Sequence, residues 1–274
     1  MSEFRIRAAQ YEDLPRLAEI SRSTWEGSDY LEEVAASWIS EGGLFLGQVG
    51  ELVVGTVKLT RLPDRVIWLE GLRVHPDHRS RGYGRRLVEH VFNIGLASME
   101  AGEAESMEFA TYFGNRESIA IASEMGFGVV ASFYILASSS GRASPAAPPV
   151  PLKSAHSQLR DCGSYLSAGW TFVHNTREGR EWILERTRAL SWQGAAFLAH
   201  RKGGCYIPLP DGLDTPEELL EGIGASVAAR GLSEHNLIVP GNRAGLLDLL
   251  SAGGYESWEE LDGPNMLVFR YDGS

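Results

Sequence analysis

Residues 79–84 read RSRGYG, two glycines one residue apart among arginines. That composition suits one kind of chemistry. At the amino end of a helix the first backbone N–H groups have no partner and the macrodipole is positive. Glycine removes the side chain that would keep an anion from those amides, and arginine adds charge-assisted hydrogen bonds shaped for phosphate oxygens. The surrounding stretch, EGLRVHPDHRSRGYGRRLVEH at 70–90, also gathers Arg73, Arg85 and Arg86 with His75, His78 and His90. The chain as a whole carries a formal net charge of −11. Local basicity in an acidic chain marks a place where a polyanion docks. The spacing is not a dinucleotide fingerprint, whose third glycine would fall at Leu87, and it lacks the lysine and hydroxyl of a P-loop.

The elements that must position this segment follow from periodicity. FRIRAAQ alternates as a strand, and YEDLPRLAEISRS reads as a helix with Asp13 as its cap and Pro15 in the first turn. SDYLEEVAASWISE continues as a second helix, GLFLGQVGELVVGTVKLTRL as two strands turning near Gly50 and Glu51, and DRVIWLEGLRV as a strand running into the basic segment. GRRLVEHVFNIGLASMEAG has helical apolar spacing. A strand (ESMEFATYF), a helix (NRESIAIASEMG) and a strand (FGVVASFYIL) complete the series.

At 274 residues the chain predicts two domains. The Ser/Ala/Pro run ASSSGRASPAAPPVP sets the boundary: a domain at 1–136, a linker at 137–151 and a second domain at 152–274. In the second, REGREWILERTRAL reads as a helix, GAAFLAHR and GCYIPL as strands, and TPEELL as a helix start with Thr215 and Glu218 forming a capping box. HNLIVP, NRAGLLDLLSAGGY and MLVFRY read as strand, helix and strand. GNRESIAIASEMGF and GNRAGLLDLLSAGGY echo one another, so the second domain is read as a diverged copy of the first. The acidic balance argues against nucleic acid or a membrane surface as partner. Cys162 and Cys205 make no disulfide framework and sit in no metal-ligand spacing; no metal is expected. The amino terminus lacks an apolar signal core and the longest uncharged run is too short to span a bilayer, so the expected location is the cytoplasm, as a monomer or homodimer.

The whole series, strand, R-x-x-G-x-G, helix, strand, N-x-x-S, helix, Gly-Phe, resembles the GNAT family of acetyl-CoA-dependent N-acetyltransferases over roughly residues 4–136. The resemblance implies an α/β fold with a mixed sheet, here as a tandem of one active and one degenerate copy. It implies acetyl-CoA as cosubstrate, its pyrophosphate held by Arg79, Ser80, Arg81, Gly82, Tyr83, Gly84 and Arg85. The pantetheine arm would lie along Leu72, Arg73 and Val74, and Asn115 and Ser118 would open the helix of the family's second motif. Family members splay the fourth and fifth strands, leaving backbone groups that an amide-bearing arm satisfies like an added strand.

An amine is protonated at neutral pH and must lose a proton before it attacks a thioester. Glu70, four residues before Val74 and alternating onto one face with Trp68 and Leu72, is the candidate general base, at a position where polyamine-acetylating relatives carry glutamate. The tyrosine that many members use to protonate the leaving thiolate is Ala122 here; Tyr112 and Tyr134 are substitutes to weigh, and the acid stays unassigned. GSDYL with Trp38 is similar to the amino-acid-acetylating branch that includes histidine N-acetyltransferase. That likeness implies Asp29 as a partner for a substrate ammonium and Trp25, Tyr30 and Trp68 as walls. The expected activity is acetyl transfer to a primary amine of a small metabolite or amino acid. Protein or peptide acetylation, and a non-catalytic acyl-CoA sensor, are the competing readings.

Overall fold

A computed structural model describes residues 3–24, 27, 29–139 and 147–273. By compactness the chain divides into two units, Met1–Phe109 with Tyr271–Ser274, and Ala110–Arg270.

The first unit is a sheet with helices on both faces. β1 (Phe4–Ala8), β2 (Leu44–Val49), β3 (Leu52–Leu62) and β4 (Val66–Val74) pair antiparallel in that order. β5 (Ser106–Tyr112) joins β4 in parallel. The β2–β3 turn lies at Gly50, whose φ is +60°. α1 (Leu14–Arg22) and α2 (Leu31–Glu41) cover one face, where Leu17, Ile20, Leu31, Ala35 and Trp38 pack on Leu44, Leu46 and Val53. α3 (Tyr83–Glu100) covers the other, its Leu87 lying against Gly47 and Gly55. Asp13 does precede α1, yet its side chain does not cap it. The carboxylate instead accepts from both terminal nitrogens of the Arg7 guanidinium at 2.7 Å and from the Gln10 N–H at 2.8 Å, holding the turn after β1.

β4 is not a regular strand. Thr56 pairs with Arg73 and Lys58 with Glu70, so between these pairs one residue of β3 (Val57) faces two of β4 (Gly71 and Leu72). The extra residue is a β-bulge at Gly71, whose φ of +71° only glycine adopts cheaply. A Cβ there would also meet the Trp38 ring at 2.7 Å. The bulge interrupts the alternation expected to align Glu70 with Leu72. It places Glu70 and Arg73, three residues apart, on one face.

The second unit contains α4 (Arg116–Glu124) and β6 (Gly128–Ser138). It continues with β7 (Val150–Pro151), α5 (Ala155–Arg160), the hairpin β8 (Tyr165–Ala168) and β9 (Thr171–His174), and α6 (Arg177–Arg186). β10 (Thr187–Trp192), β11 (Ala195–His200), β12 (Cys205–Pro208), α7 (Pro210–Asp214), α8 (Pro216–Arg230), β13 (His235–Pro240), α9 (Leu247–Ala252) and β14 (Met266–Tyr271) complete it. Its strands run β14-β6-β13-β12-β11-β10-β7. Phe197, Tyr206, Leu219, Ile223 and Leu237 form the buried centre. Asn265, fully buried, accepts the Ile135 N–H at 2.8 Å and donates to the Ile135 carbonyl at 2.9 Å, so an amide side chain stands in for a strand partner.

Three local expectations change. The helix read through TRAL ends at Arg186, and Thr187–Trp192 is a strand paired with β11. Thr215 does not cap α8; its hydroxyl donates to the Asp211 carbonyl at 2.7 Å, drawn into the short helix α7 just before it. NRAGLLDLLSAGG opens as a 3-10 turn over Gly241–Leu246, non-helical at Arg243, and only then becomes α9.

Candidate active site

The glycine turn joins β4 to α3. After β4, a 3-10 turn over Pro76–His78 is tied by the His75 ring accepting the Asp77 N–H. Arg79 donates to the Val74 carbonyl at 3.2 Å and Arg81 to the Asp77 carbonyl at 3.1 Å. Ser80 and Gly82 have φ of +58° and +75°. Gly82 is the residue before α3, and no side chain caps that helix start or places a carboxylate in its first turn. Gly82 and the adjacent Arg79, Ser80, Arg81 and Arg85 are exposed. Tyr83 is fixed by stacking on Phe4 (ring centroids 4.7 Å, planes 3° apart), and the Arg86 guanidinium lies over the same Phe4 ring at 4.4 Å.

Arg73 behaves otherwise. Its guanidinium is buried and makes two bonds to the Asp29 carboxylate, at 2.8 and 2.9 Å. Burial pulls its ionisation down, but the Asp29 bonds outweigh that and hold it above the ordinary arginine range. The same guanidinium sits 4.9 Å over the Tyr30 ring, which meets Trp38 edge-on. Burial pushes the Tyr30 phenol up, against the pull of Arg73. Asp29 also accepts the N–H of Leu31, the first residue of α2. The carboxylate expected to hold a substrate ammonium is thus already paired, and the arginine expected along the pantetheine arm points its charge at Asp29. The pair anchors the start of α2 to β4 beside the bulge. Asp29→Ala leaves a buried guanidinium without its counter-charge and is expected to cost about 3 kcal/mol of stability, read as a lowered denaturant midpoint. Asp29→Leu with Arg73→Met recovers part of that loss.

Glu70 lies on the same face as this pair. Thr60 donates its hydroxyl proton to Glu70 Oε1 at 2.5 Å. Burial raises the Glu70 carboxyl above the usual glutamate range, opposed by the Thr60 bond and the Lys58 charge. That is the shift a general base working near neutral pH needs. Trp68, 1% exposed, is core. Leu72 and Val74 are half-buried on the strand that leads to the turn. The parallel ladder with β5 is recorded from Val66↔Ser106 to Trp68↔Glu108, and β4 continues beyond it to Val74. Sequence reasoning missed Lys58 and Thr60. The signal was present: Lys58 is one of three lysines and interrupts an apolar strand.

Asn115 and Ser118 belong to the second unit. The Asn115 side chain caps α4, accepting the Ser118 N–H at 3.4 Å while donating to Thr111 at 3.1 Å. Ala122 is buried on α4, and Tyr134 lies in the buried core of the second unit. Tyr112 meets Phe113 and Trp258 edge-on. Trp25 lies outside the described residues. Among the described residues there is no group of three or more metal-ligating side chains and no helix long and apolar enough to cross a membrane.

Fold and site together define a mixed α/β protein built around a bulged strand that runs into an open, basic helix start. Residues 11–127, within the first half of the chain, match the family model of the GNAT acetyltransferases. No curated protein shows a sequence match. Among solved structures, a GCN5-related N-acetyltransferase from Sphaerobacter thermophilus is similar at a TM-score of 0.68 and 16% identity, over 98% of this chain and 95% of that one. A candidate acetyltransferase from Thermoplasma acidophilum gives 0.66 and 17%, over 98% and 99%. Another from Pyrococcus horikoshii gives 0.65 and 14%, over 99% and 90%. At these identities the likeness is one of fold.

Proposed function

We propose that this protein transfers the acetyl group of acetyl-CoA to a primary amine of a small metabolite or amino acid. The observation that carries the reading is the continuity of β4: a half-buried carboxylate beside its bulge and, where the strand exits, the uncapped basic start of α3 at Gly82. The α3 amides and Arg79, Arg81 and Arg85 suit the pyrophosphate of coenzyme A. The stretch of β4 beyond Trp68 suits its amide-bearing arm. Glu70 takes a proton from the ammonium and the freed nitrogen lone pair attacks the thioester carbon; collapse of the tetrahedral adduct breaks the C–S bond, and the second proton shed by the nitrogen goes to the departing sulfur, which leaves as the thiol of coenzyme A. A backbone N–H near Leu72 suits the oxyanion of that adduct. Thiol release, screened over amino acids, polyamines and peptides, tests the reading: turnover only with peptides would replace the small amine, and none with any amine would favour a sensor.

The second domain, in this reading, is a degenerate copy without a coenzyme site. α8, the counterpart of α3, opens with Pro216 and carries Glu217 and Glu218 in its first turn. Proline removes one of the amides an anion would use, and carboxylates repel pyrophosphate. Native mass spectrometry is expected to show one acetyl-CoA per chain. Two per chain, surviving substitution of Gly82, would give the second domain a site of its own.

A further inference from the structure

The chemistry proposed above leaves a buried cation unused. The Lys58 side chain is 2% exposed on β3, directly opposite Glu70 in the ladder. Its Nζ donates to the Leu59 carbonyl at 3.2 Å and to Thr60 Oγ1 at 3.0 Å. Thr60 in turn donates its hydroxyl proton to Glu70 Oε1. At the outer end, Lys58 Nζ lies 3.8 Å from the carboxylate of Glu41 on α2, which is largely exposed. The four groups therefore form one line from the bulge to the surface: Glu70, Thr60, Lys58, Glu41.

A lysine buried this deeply is costly unless its charge serves something nearby. Burial pulls its ionisation down, while Glu70 and Glu41 support the charged form. The choice of lysine is itself informative in a chain where 22 of 25 basic residues are arginine. An ammonium is a compact point charge with three rotatable donors, so it can serve a carbonyl, a hydroxyl and a carboxylate at once. A guanidinium fork would bind one carboxylate and bypass the hydroxyl.

We propose that Lys58 and Thr60 are positioning residues for the base: the Thr60 hydroxyl fixes the orientation of the Glu70 carboxylate, and the Lys58 ammonium behind it keeps that carboxylate ionised inside the fold. The proposal rests on reading Glu70 as the general base. Among the described residues, the charged and titratable groups facing Glu70 are Lys58 from β3, Arg73 from β4, Glu41 from α2 and the Tyr30 phenol just before α2. Lys58 and Arg73 favour the anion and Glu41 opposes it. The signs differ, and this separates a charge effect from a loss of packing.

The experiment follows the Glu70 carboxyl by isotope-edited infrared titration of the full chain without substrate, the signal being the one absent from Glu70→Gln. Thr60→Val and Lys58→Met each move its titration to higher pH, Glu41→Gln moves it lower, and Thr60→Ser, which keeps the hydroxyl, leaves it in place. With the acceptor found by thiol release, Thr60→Val and Lys58→Met lose on the order of tenfold in kcat/KM on the acidic side and regain it on the alkaline side. Unmoved titrations in both variants, with Glu70→Gln inactive, would overturn this proposal and leave the base in place. Wild-type turnover in Glu70→Gln would remove the base itself, and this proposal with it.

Discussion

Glu70→Gln is expected to lower kcat/KM by about 10²–10⁴-fold while acetyl-CoA binds as before. The amide keeps the size of the carboxylate and can still accept the Thr60 hydroxyl bond, so the bulge and its neighbours stay in place. What disappears is the proposed proton acceptor. The same substitution is expected to raise stability at neutral pH. Burial lifts the Glu70 carboxyl above its ordinary value. Between the unfolded value and the raised folded one, the folded protein holds a proton that the unfolded chain has released. Stability therefore falls as pH rises through that window. Glutamine has no such loss, so the variant exceeds wild type above the window and matches it below. Wild-type activity follows the opposite course, appearing as pH climbs through the raised value and Glu70 ionises. A kcat/KM profile and chemical denaturation at several pH values read both effects. Turnover like wild type would move the proton acceptor to a water chain or to the substrate.

The second large effect is expected at the helix start. Gly84→Val reduces acetyl-CoA affinity by about two orders of magnitude or more, equivalent to losing two hydrogen bonds to a charged phosphate at about 1.5–3 kcal/mol each. The two glycines of the turn differ, and the structure says how. Gly82 has a φ of +75° with open space around a built Cβ. Any replacement there strains the backbone, and a lost affinity would mix strain with blockage. At Gly84 the backbone is ordinary, and a Cβ would touch only Val74 Cγ2 at 3.6 Å, a normal contact. Gly84→Ala should therefore fold like wild type and still weaken binding, and valine should deepen the loss. Calorimetry on the folded variants reads it. Unchanged affinity in both would assign the residue to helix–strand packing against Val74 and send the pyrophosphate elsewhere.

Much of the secondary structure from β1 to β6 was legible in the chain itself. β1 to β6 and α1 to α4 each begin and end within a few residues of where the pattern puts them. The helices α1 to α3 have apolar faces, and β3 and β4, buried over long runs, stand out as apolar stretches with proline at their limits. The open helix start was legible for a related reason. Two glycines, the arginines around them and the lack of acidic residues act locally through backbone amides and charge. The carboxy-terminal half was harder. Thr187–Trp192 carries no strong pattern, and its pairing with Ala195–His200 decides its form. Thr215 and Glu218 had the spacing of a capping box, and α7, one turn upstream, took the threonine hydroxyl.

The candidate site divides along the same line. Sequence alone determined that a glutamate precedes a basic glycine turn, since both lie on one strand and its exit. Only the tertiary structure decided what that glutamate faces. The bulge at Gly71 exists because β3 and β4 pair with unequal residue numbers, and no period in β4 alone reveals it. It turned Arg73 to the side of Glu70, where Asp29, 44 positions away in the chain, claims its charge. Lys58 and Thr60 reached Glu70 across the ladder rather than along the strand. Short-range patterns record which groups are present; pairing between distant segments sets which of them meet, because burial and ion pairing act through space.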